Sequence, residues 1–512
     1  MPAMLFRRKS KTNNNNNKNG HKLPSRAERA KSLSDFFSMM EESKDFVSSD
    51  HKLKHMTVRI SYLNPMVDPK SIRRDILPYL ISCDATKLED LVHYLPFVSI
   101  THTKDVEQIK EKLLKGFILI QKHKEDPDGL LLELTAQHGR QVTPPEVEFS
   151  VIGPKTAFVE SLDTNIALIR KLLPIPNFKV KEMSVGKVTK TKVAVIYIDG
   201  IANRENVNTL TQRLKDIEYD NIIDSSFLVQ MLSDNKHSPF PQLVDTERPD
   251  RVVSALIEGK VAFILDGSPF VIMGPTTIME FFTAFDDYAL VWYLASFFRL
   301  VRLGSVAFSV FATPLYVAVL TYHYQLIPQD LIGTLISSRM GVPFPPIIEA
   351  LLMELTIEVL REAGVRLPTK VGQTIGIVGG IVIGTASVQA NLTSNVLLIL
   401  IAMAALASFT TPNYKMNNTV RLLRFPFLIA AGFFGMIGIA AVFAILVAHL
   451  LKLTSLGRPY IEPFYPLRLS DLKDAFVRLP YSQQGQRPLL QRPVDSGRVN
   501  TWRANFKYDI DE

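Results

Sequence analysis

From Val371 to Tyr414 the chain reads VGQTIGIVGGIVIGTASVQANLTSNVLLILIAMAALASFTTPNY, forty-four residues without an Asp, Glu, Lys or Arg. A helix needs about 20 apolar residues to cross a hydrocarbon core of about 30 Å, so the stretch is long enough for two crossings. Its polar middle, SVQANLTSN, supplies a turn between them. The stretch therefore predicts two transmembrane helices, at residues 371–391 and 393–411.

Uncharged runs on either side of this stretch predict further crossings. The runs Leu303–Gln329 and Phe425–Leu451 are each long enough to span, and we place helices at 303–327 and 425–451. A fifth segment, 345–363, is charged, and whether it crosses is left open by hydropathy. A crossing there puts most basic residues of the short loops on the side of the soluble half of the chain. The basic-residue rule thus favours five crossings, with the C-terminal tail on the opposite side.

The basic character of the chain has a local source. The 512 residues are 47% hydrophobic and carry a formal net charge of +8. Nine basic residues lie between Met1 and Lys31 against one acid, Glu28. This pattern predicts that residues 1–44 are a disordered basic tail, either merely solvated or attracted to an anionic membrane surface, and it does not favour nucleic acid as a partner. The single Cys83 excludes an intramolecular disulfide.

The polar first half predicts two small α/β subdomains, at 45–145 and 146–275. In the first, a strand at 96–103, a helix at 104–115 and a strand at 116–121 form a βαβ-type unit.

In the second subdomain a helix is predicted at Pro154–Leu173, followed by a strand at Lys192–Ile198 and a helix at Arg204–Ile217. Strands at 260–265 and 270–273 close a hairpin around Asp266-Gly267.

The predicted fold class is α+β. Two cytoplasmic α/β subdomains precede a polytopic α-helical transmembrane domain, 276–453, and a C-terminal tail, 454–512. A short helix is expected in that tail at Ser470–Arg478.

Motifs for enzyme chemistry are missing from the sequence. Gly153-Pro154-Lys155-Thr156 lacks the glycine spacing of a P-loop, and neither H-E-x-x-H nor G-x-S-x-G occurs. The ten histidines show no metal-ligand spacing on a predicted helix. We therefore expect a protein without enzymatic activity, catalytic residues, bound metal or cofactor.

The segment 345–363 carries acidic residues at helical spacing. Because a charge at the bilayer centre costs several kcal/mol by some estimates, its acidic face must be in water, paired, or inside a bundle. One interpretation is an amphipathic surface helix with Glu358 and Arg361 paired. The other is a carboxylate-lined vestibule beside a cation pathway, with four candidate residues: Glu349, Glu354, Glu358 and Glu362.

A stripe of small and polar residues follows on the next predicted helix. Either it is ordinary close helix packing, or it lines a narrow pore built from identical helices in a ring, with Val378, Val382 or their apolar neighbours as a dewetting gate. The pore-lining candidates are Gln373, Gly376, Val378, Gly380, Val382, Gly384, Ser387 and Asn391. Earlier in the chain, Asp286-Asp287 lies among aromatics in Phe281–Arg302, which predicts a helix along the membrane surface.

Five segments of the chain together are similar to one known family. They are GPKTAFVESLDTNIALIRK (153–171), RLKDIEYD (213–220), FPQLVDTERPDRVVSALIEG (240–259), PFPPIIEALLMELTIEVLREAGVRLPTKVGQTIGIVGGIVIG (343–384) and ASFTTP (407–412). The likeness covers the chain from about Asp75 to Pro480, and the family that these segments resemble is the A subunits of GerA-type spore germinant receptors of endospore-forming bacteria.

The resemblance implies a multi-pass subunit of a nutrient-sensing complex in the spore inner membrane. Its expected partners are a transporter-like B subunit, a C-subunit lipoprotein, further copies of itself, membrane lipid and monovalent cations. One segment departs from the family. After Gly384 members usually continue with a sequence similar to QAAVxAGLVSP, whereas Thr385–Asn395 reads TASVQANLTSN.

Two functions follow from the residues and the resemblance. The first is a signalling subunit that oligomerises into a nutrient-gated cation channel. The second is a non-conducting scaffold or ligand-binding subunit of the same complex.

Overall fold

Two sheet-containing units precede a helical bundle in the computed structural model. The structure describes residues 32–97, 99–124, 126–134, 144–148, 153–366, 380, 382–468, 475–480 and 485–498.

The first unit is a five-stranded antiparallel sheet with the strand order β1-β2-β4-β5-β3. Alternate residues of its central strands are buried on opposite faces: Ile118 and Ile120 lie in one apolar cluster, and Leu119 lies in the other. The elements are α1 (Leu33–Glu41), β1 (Phe46–Lys52), β2 (Thr57–Leu63), α2 (Leu77–Ser82), β3 (Ile100–Thr103), α3 (Val106–Leu114), β4 (Phe117–Gln121) and β5 (Gly129–Glu133).

The second unit repeats this topology, with the strand order β6-β7-β9-β10-β8. The predicted hairpin is confirmed, since β9 and β10 pair antiparallel with Ile264 opposite Val271. The elements are α4 (Leu162–Leu172), β6 (Phe178–Val185), β7 (Thr191–Ile198), α5 (Arg204–Lys215), α6 (Ser225–Leu232), β8 (Val244–Thr246), α7 (Pro249–Ile257), β9 (Val261–Leu265) and β10 (Val271–Gly274).

Each unit contains a β-α-β crossover whose two strands are separated by a third. In the first unit, β3 and β4 both pair antiparallel with β5, so they run parallel to each other on its two sides. The βαβ-type unit expected from the sequence is therefore present, with β5 inserted between its strands. In the second unit, β8 and β9 both pair antiparallel with β10, so they likewise run parallel to each other on its two sides.

Two predicted boundaries in the soluble half are wrong. Residues 33–41 belong to a helix, not to a disordered tail, because Phe36, Phe37 and Met40 form one apolar face that packs into the first unit. Residues 1–31 lie outside the described part of the chain. The helix predicted from Pro154 begins at Leu162, where the Ser161 side chain caps it by accepting a hydrogen bond from the Thr164 N–H.

A fully buried ion pair joins the two sheet units. Neither Arg170 nor Asp45 has an exposed side chain, and Arg170 Nε lies 2.8 Å from Asp45 Oδ2. Arg170 Nη2 donates to Asp45 Oδ1 at 3.0 Å and to the Phe178 carbonyl at 3.0 Å. Because the buried guanidinium and carboxylate form a bidentate, directional pair, the two units have one well-defined relative position.

The helical region begins with α8 (Trp292–Tyr322), which starts well before the predicted span 303–327. It continues with α9 (Gln329–Arg339), α10 (Pro346–Arg366), a helical stretch at 382–389, α11 (Asn395–Ser408) and α12 (Tyr414–Lys452). Among the described residues, α8 and α12 are long and apolar enough to cross a bilayer. Residues 371–379 and 381 of the predicted span 371–391 lie outside the described residues.

The α12 range is a helical hairpin, not the single crossing predicted at 425–451. Gly435 has φ +60° and ψ −138°, which breaks the helix. A Cβ on Gly438 would lie 2.2 Å from the Ala430 carbonyl oxygen, although eight residues of straight helix rise about 12 Å. Phe427 and Phe443 both pack on Phe311. The chain therefore reverses at Gly435, and we call 414–434 the first arm and 436–452 the second arm.

The tip of this hairpin is held by the end of α8. The Tyr322 hydroxyl donates to the carbonyls of Gly432 and Phe433 at 3.2 and 2.7 Å. His323 Nε2 lies 3.4 Å from the Met436 backbone N–H at the start of the second arm. We call this end of the bundle the far end, because the sheet units lie at the other.

The hairpin returns the chain to the sheet units. Arg458 pairs with Glu205 of α5 at 2.8 Å, and Tyr460 is fully buried between Phe240 and Phe281. The predicted position of the C-terminal tail on the side opposite the soluble half, which follows from five crossings, is therefore wrong, because the chain reverses at Gly435 and then contacts the sheet units. The helix expected at Ser470–Arg478 lies largely outside the described residues.

The surface helix predicted at Phe281–Arg302 is also wrong. Its second half belongs to α8, and Asp287 is 2% exposed. Arg302 donates to both oxygens of the Asp287 carboxylate, at 2.9 and 3.1 Å, and Arg299 lies at 3.4 Å. The acidic residue predicted at the membrane surface thus neutralises arginines from the first turns of α8.

Replacing Asp45 by Ala leaves the Arg170 guanidinium buried without its partner. We expect the free energy of unfolding to fall by about 3–5 kcal/mol. The measurement is thermal unfolding of the detergent-solubilised full chain, followed by circular dichroism. The matched control is Asp50→Ala, which removes a bidentate pair with Arg59 whose aspartate is 54% exposed; this change should cost about 1 kcal/mol or less. An equal loss of stability in the two variants would contradict the role given to the Arg170–Asp45 pair between the two sheet units.

Candidate functional site

The centre of the helical bundle contains a buried ion pair between α10 and the first arm. Arg424 Nη1 donates to Glu354 Oε2 at 2.5 Å, and the two side chains are 6% and 3% exposed. The other Glu354 oxygen accepts a hydrogen bond from Thr313 of α8 at 3.0 Å, and Arg424 also donates to Ser309 at 3.0 Å. These contacts thereby fix the positions of α8, α10 and the first arm along one another.

A second buried carboxylate caps α11 near the far end. Glu349 has no exposed surface, and its Oε1 accepts hydrogen bonds from the Ser394 N–H at 2.6 Å and the Thr393 hydroxyl at 3.2 Å. Ser394 is the N-cap of α11, where a negative charge is favoured by the helix dipole. Arg339 of α9 lies 3.4 Å from the other oxygen. Glu349 therefore links α9, α10 and α11.

The remaining carboxylates of α10 lie nearer the sheet units. Glu358, 39% exposed, pairs with Arg421 of the first arm. The alternative pairing of Glu358 with Arg361 is not found, because the Arg361 guanidinium stacks on the Phe409 ring at 4.6 Å. Glu362 pairs with Arg366 at 2.7 Å, and both side chains are more than half exposed.

Within one chain, the carboxylates of α10 mainly form ion pairs with neighbouring helices. Glu354 and Glu358 meet Arg424 and Arg421, whose three-residue spacing matches one helical turn on the facing helix. Glu349 and Glu354 lie inside the bundle, so of the four vestibule candidates Glu358 and Glu362 have exposed carboxylates. A vestibule lined by those two remains a prediction.

The described candidates of the predicted pore helix lie on two different faces. Val382 is 55% exposed, whereas Ser387 is 7% exposed. A Cβ on Gly384 would lie 3.6 Å from Leu398 of α11, so the glycine face packs against the chain's own helix. Two polar residues of the divergent segment, Thr385 and Gln389, are exposed.

The other candidates of this helix are distributed as follows. Gly380 is exposed, and no heavy atom lies within 4 Å of a Cβ placed on it. Asn391 has φ +56° and places its amide against Gly341 at the far end, where a Cβ on Gly341 would lie 2.7 Å from Oδ1. Gln373, Gly376 and Val378 lie outside the described residues.

Sequence reasoning missed the partners of the carboxylates. From sequence alone, Arg421 and Arg424 count only among the basic residues of the short loops that set orientation, and no role is assigned to Ser309 or Thr313. The sequence signal for these pairs was residue spacing. Arg421 and Arg424 are three residues apart and Glu354 and Glu358 are four apart, so on two antiparallel helices the two charged pairs can face each other. Within the described residues, no group of three or more His, Cys, Asp or Glu side chains is arranged to hold a metal ion.

Comparison with known proteins identifies similar sequences along nearly the whole chain. Residues 34–490 match the family model described as Bacillus/Clostridium GerA spore germination protein. The chain is 47% identical to spore germination protein GerQA of Bacillus cereus over 470 residues, which is 92% of this chain and 94% of that protein. It is 38% identical to spore germination protein A1 of Bacillus subtilis (strain 168) over 444 residues, 86% of this chain and 92% of the relative.

A solved structure is also similar in sequence to the first half. It is the crystal structure of the N-terminal domain of the A subunit of the Bacillus megaterium spore germinant receptor GerK3. The identity is 29%, covering 48% of this chain and 92% of that chain, with a TM-score of 0.36.

Replacing Arg424 by Leu leaves Glu354 buried and unpaired, so we expect the free energy of unfolding to fall by about 3–5 kcal/mol. The double variant Glu354→Leu/Arg424→Leu should recover most of that loss, because it removes the uncompensated charge. Thermal unfolding in detergent measures both. The control is Glu362→Gln, which removes an exposed pair and should change stability by about 0.5 kcal/mol or less. A double variant as unstable as Arg424→Leu would contradict this account.

Proposed function

The chain belongs to the Bacillus/Clostridium GerA spore germination protein family, and from this premise we propose that it is a membrane subunit of a nutrient receptor that triggers spore germination. In this proposal the subunit is not an enzyme. Copies of it assemble into a ring in the spore inner membrane, beside a transporter-like B subunit and a C-subunit lipoprotein, and the ring conducts monovalent cations when nutrient is bound.

The helical contacts support a multi-pass arrangement. The first arm runs parallel to α8, since Ser309 contacts Arg424 and Tyr322 contacts Gly432, further along both helices. It runs antiparallel to α10, in which Glu354 and then Glu358 meet Arg424 and then Arg421. At 1.5 Å per residue the two arms are about 32 and 26 Å long, close to the thickness of a hydrocarbon core.

We propose six passes on this basis. The passes are α8, α10, the predicted helix 371–391, α11 and the two arms, which together keep both the sheet units and the C-terminal segment on one side. The charges of α10 are compatible with such a pass because Glu349 and Glu354 are buried and paired within the bundle.

One observation carries the channel proposal: the outward face of 382–389 presents two polar side chains, Thr385 and Gln389, beside the small Ala386 and the apolar Val382. A primary amide in contact with lipid would lack hydrogen-bond partners, so this face requires water or another polar surface. In a ring of copies it would line a water-filled path. Val382, one helical turn before Thr385 and Ala386, would form an apolar constriction that gates by dewetting.

Replacing Val382 by Ala should widen and wet this constriction. The expected result is potassium release and germination of spores without nutrient, measured by flame photometry and by the fall in optical density. The control is Leu398→Ile, a volume-conserving change on α11 behind the helix, which should leave spores dormant. Dormant Val382→Ala spores with normal levels of the protein would contradict the pore assignment. That result would favour the non-conducting scaffold or ligand-binding subunit.

A further inference from the structure

One segment of the second sheet unit contacts both ends of the helical hairpin. It connects α6 to the first residues of β8, and we call residues 234–245 the coupling segment. Its sequence, DNKHSPFPQLVD, contains two prolines, Pro239 and Pro241, which limit its backbone freedom.

The C-terminal side of the hairpin is held by the coupling segment at several points. Ser238 Oγ lies 2.9 Å from His449 Nε2 of the second arm, and the Phe240 ring packs on the His449 ring at 6.0 Å. The Gln242 carbonyl accepts a hydrogen bond from Ser455, just after the hairpin, at 2.6 Å.

Asp234 adds a charged contact to the same end. Its carboxylate accepts hydrogen bonds from the Thr454 hydroxyl at 2.5 Å and the Gly457 N–H at 2.8 Å, and Arg213 of α5 pairs with it. Burial by itself raises the pKa of this carboxyl, but these hydrogen bonds and Arg213 outweigh burial and place the pKa below its ordinary value. The carboxylate is therefore ionised at neutral pH and remains bound to the chain after the hairpin.

The start of the hairpin is held by the other end of the same segment. Lys415 Nζ lies 2.8 Å from Asp245 Oδ2, with side chains 35% and 20% exposed. One turn further along the first arm, the Thr419 hydroxyl donates to the Pro239 carbonyl at 2.5 Å. Both arms are thus attached to one short piece of the sheet unit.

From the first arm the connection continues to the acidic helix. Arg421 and Arg424 follow Thr419 within two turns and pair with Glu358 and Glu354 of α10. The chain leaves α10 directly into the predicted pore helix at 371–391. A displacement of the coupling segment therefore has a continuous path of ion pairs and hydrogen bonds to α10, which precedes the helix that carries Val382 in the chain.

We propose that the coupling segment transmits the state of the second sheet unit to the pore, by moving the hairpin and α10 as one body. This inference rests on the proposed channel function. Weakening a contact of the coupling segment slows the response to nutrient, but it does not close a pore that is already leaky.

Charge reversal at the Asp245–Lys415 pair tests this inference. The receptor is expressed with its B and C subunits in Bacillus subtilis spores that lack other germinant receptors. A defined mixture of L-amino acids, purine nucleosides and glucose serves as the trigger. The single variants Asp245→Lys and Lys415→Asp should lower the rate of germination about 5- to 150-fold, the usual range of allosteric coupling. The double variant should restore the rate, because it re-forms the pair with its charges exchanged.

The control is Asp220→Lys, a reversal at an exposed position at the opposite end of the second sheet from the bundle, which should germinate at the normal rate. Immunoblots establish equal amounts of each variant in the spores. Two results overturn the coupling role: single reversals that germinate normally, and a double reversal that remains as slow as the singles.

Combining each reversal with Val382→Ala separates this inference from the channel proposal. Nutrient-independent potassium release that persists in the combined variants supports transmission upstream of the gate. Release that is abolished by the reversals contradicts it. Val382→Ala spores that never leak contradict the channel, while the rescue by charge exchange still decides whether the segment couples the sheet unit to the bundle.

Discussion

The structure of the helical half depends on neutralising charge inside an apolar bundle. Glu354 and Arg424 are each nearly inaccessible to solvent, and an unpaired charge at either position would cost several kcal/mol. Their contact, with further hydrogen bonds from Thr313 to Glu354 and from Arg424 to Ser309, fixes how α8, α10 and the first arm lie along one another. Ordinary apolar packing would tolerate sliding by a turn, whereas a directional ion pair does not.

The same constraint explains how the two halves of the protein are connected. The first arm carries Lys415 toward the sheet unit and Arg421 and Arg424 toward α10, so one helix presents its cations to both. The reversal at Gly435 then returns the chain to the sheet units, where Tyr460 is buried in the same apolar cluster as Phe178 and Phe427. The cluster is thus shared by the sheet unit and the bundle.

The sequence predicted the elements whose signal is local. The strands around Lys192–Ile198 and the Asp266-Gly267 hairpin were found from alternation and turn residues, and the uncharged stretch from Val371 identified the helical region. The reversal at Gly435 was missed because AGFFGMIG has no polar or charged residue, and a glycine in an apolar run is also typical of a continuous membrane helix. The repeated sheet topology was missed because strand order depends on pairing between distant segments.

The candidate site was predicted only in part, because its contacts also join segments that are distant in the sequence. Residue type and spacing identified the acidic helix and the small-residue stripe, but not which face each turns to its neighbours. Gly384 packs on α11 and Ser387 is buried, whereas Thr385 and Gln389, in the segment that departs from the family pattern, are exposed. A primary amide such as that of Gln389 would lack hydrogen-bond partners in lipid, so this face fits water or a polar surface better than hydrocarbon.

In the proposed channel, this face lines a path for monovalent cations. The most direct measurement is potassium flux through liposomes containing the purified chain with Cys83→Ser, Val382→Ala and Gln389→Cys, before and after a membrane-impermeant methanethiosulfonate reagent. We expect a flux that the reagent blocks, because a charged adduct at position 389 would occupy the pore. A flux unchanged by complete modification of the cysteine, or no flux at all, would contradict it.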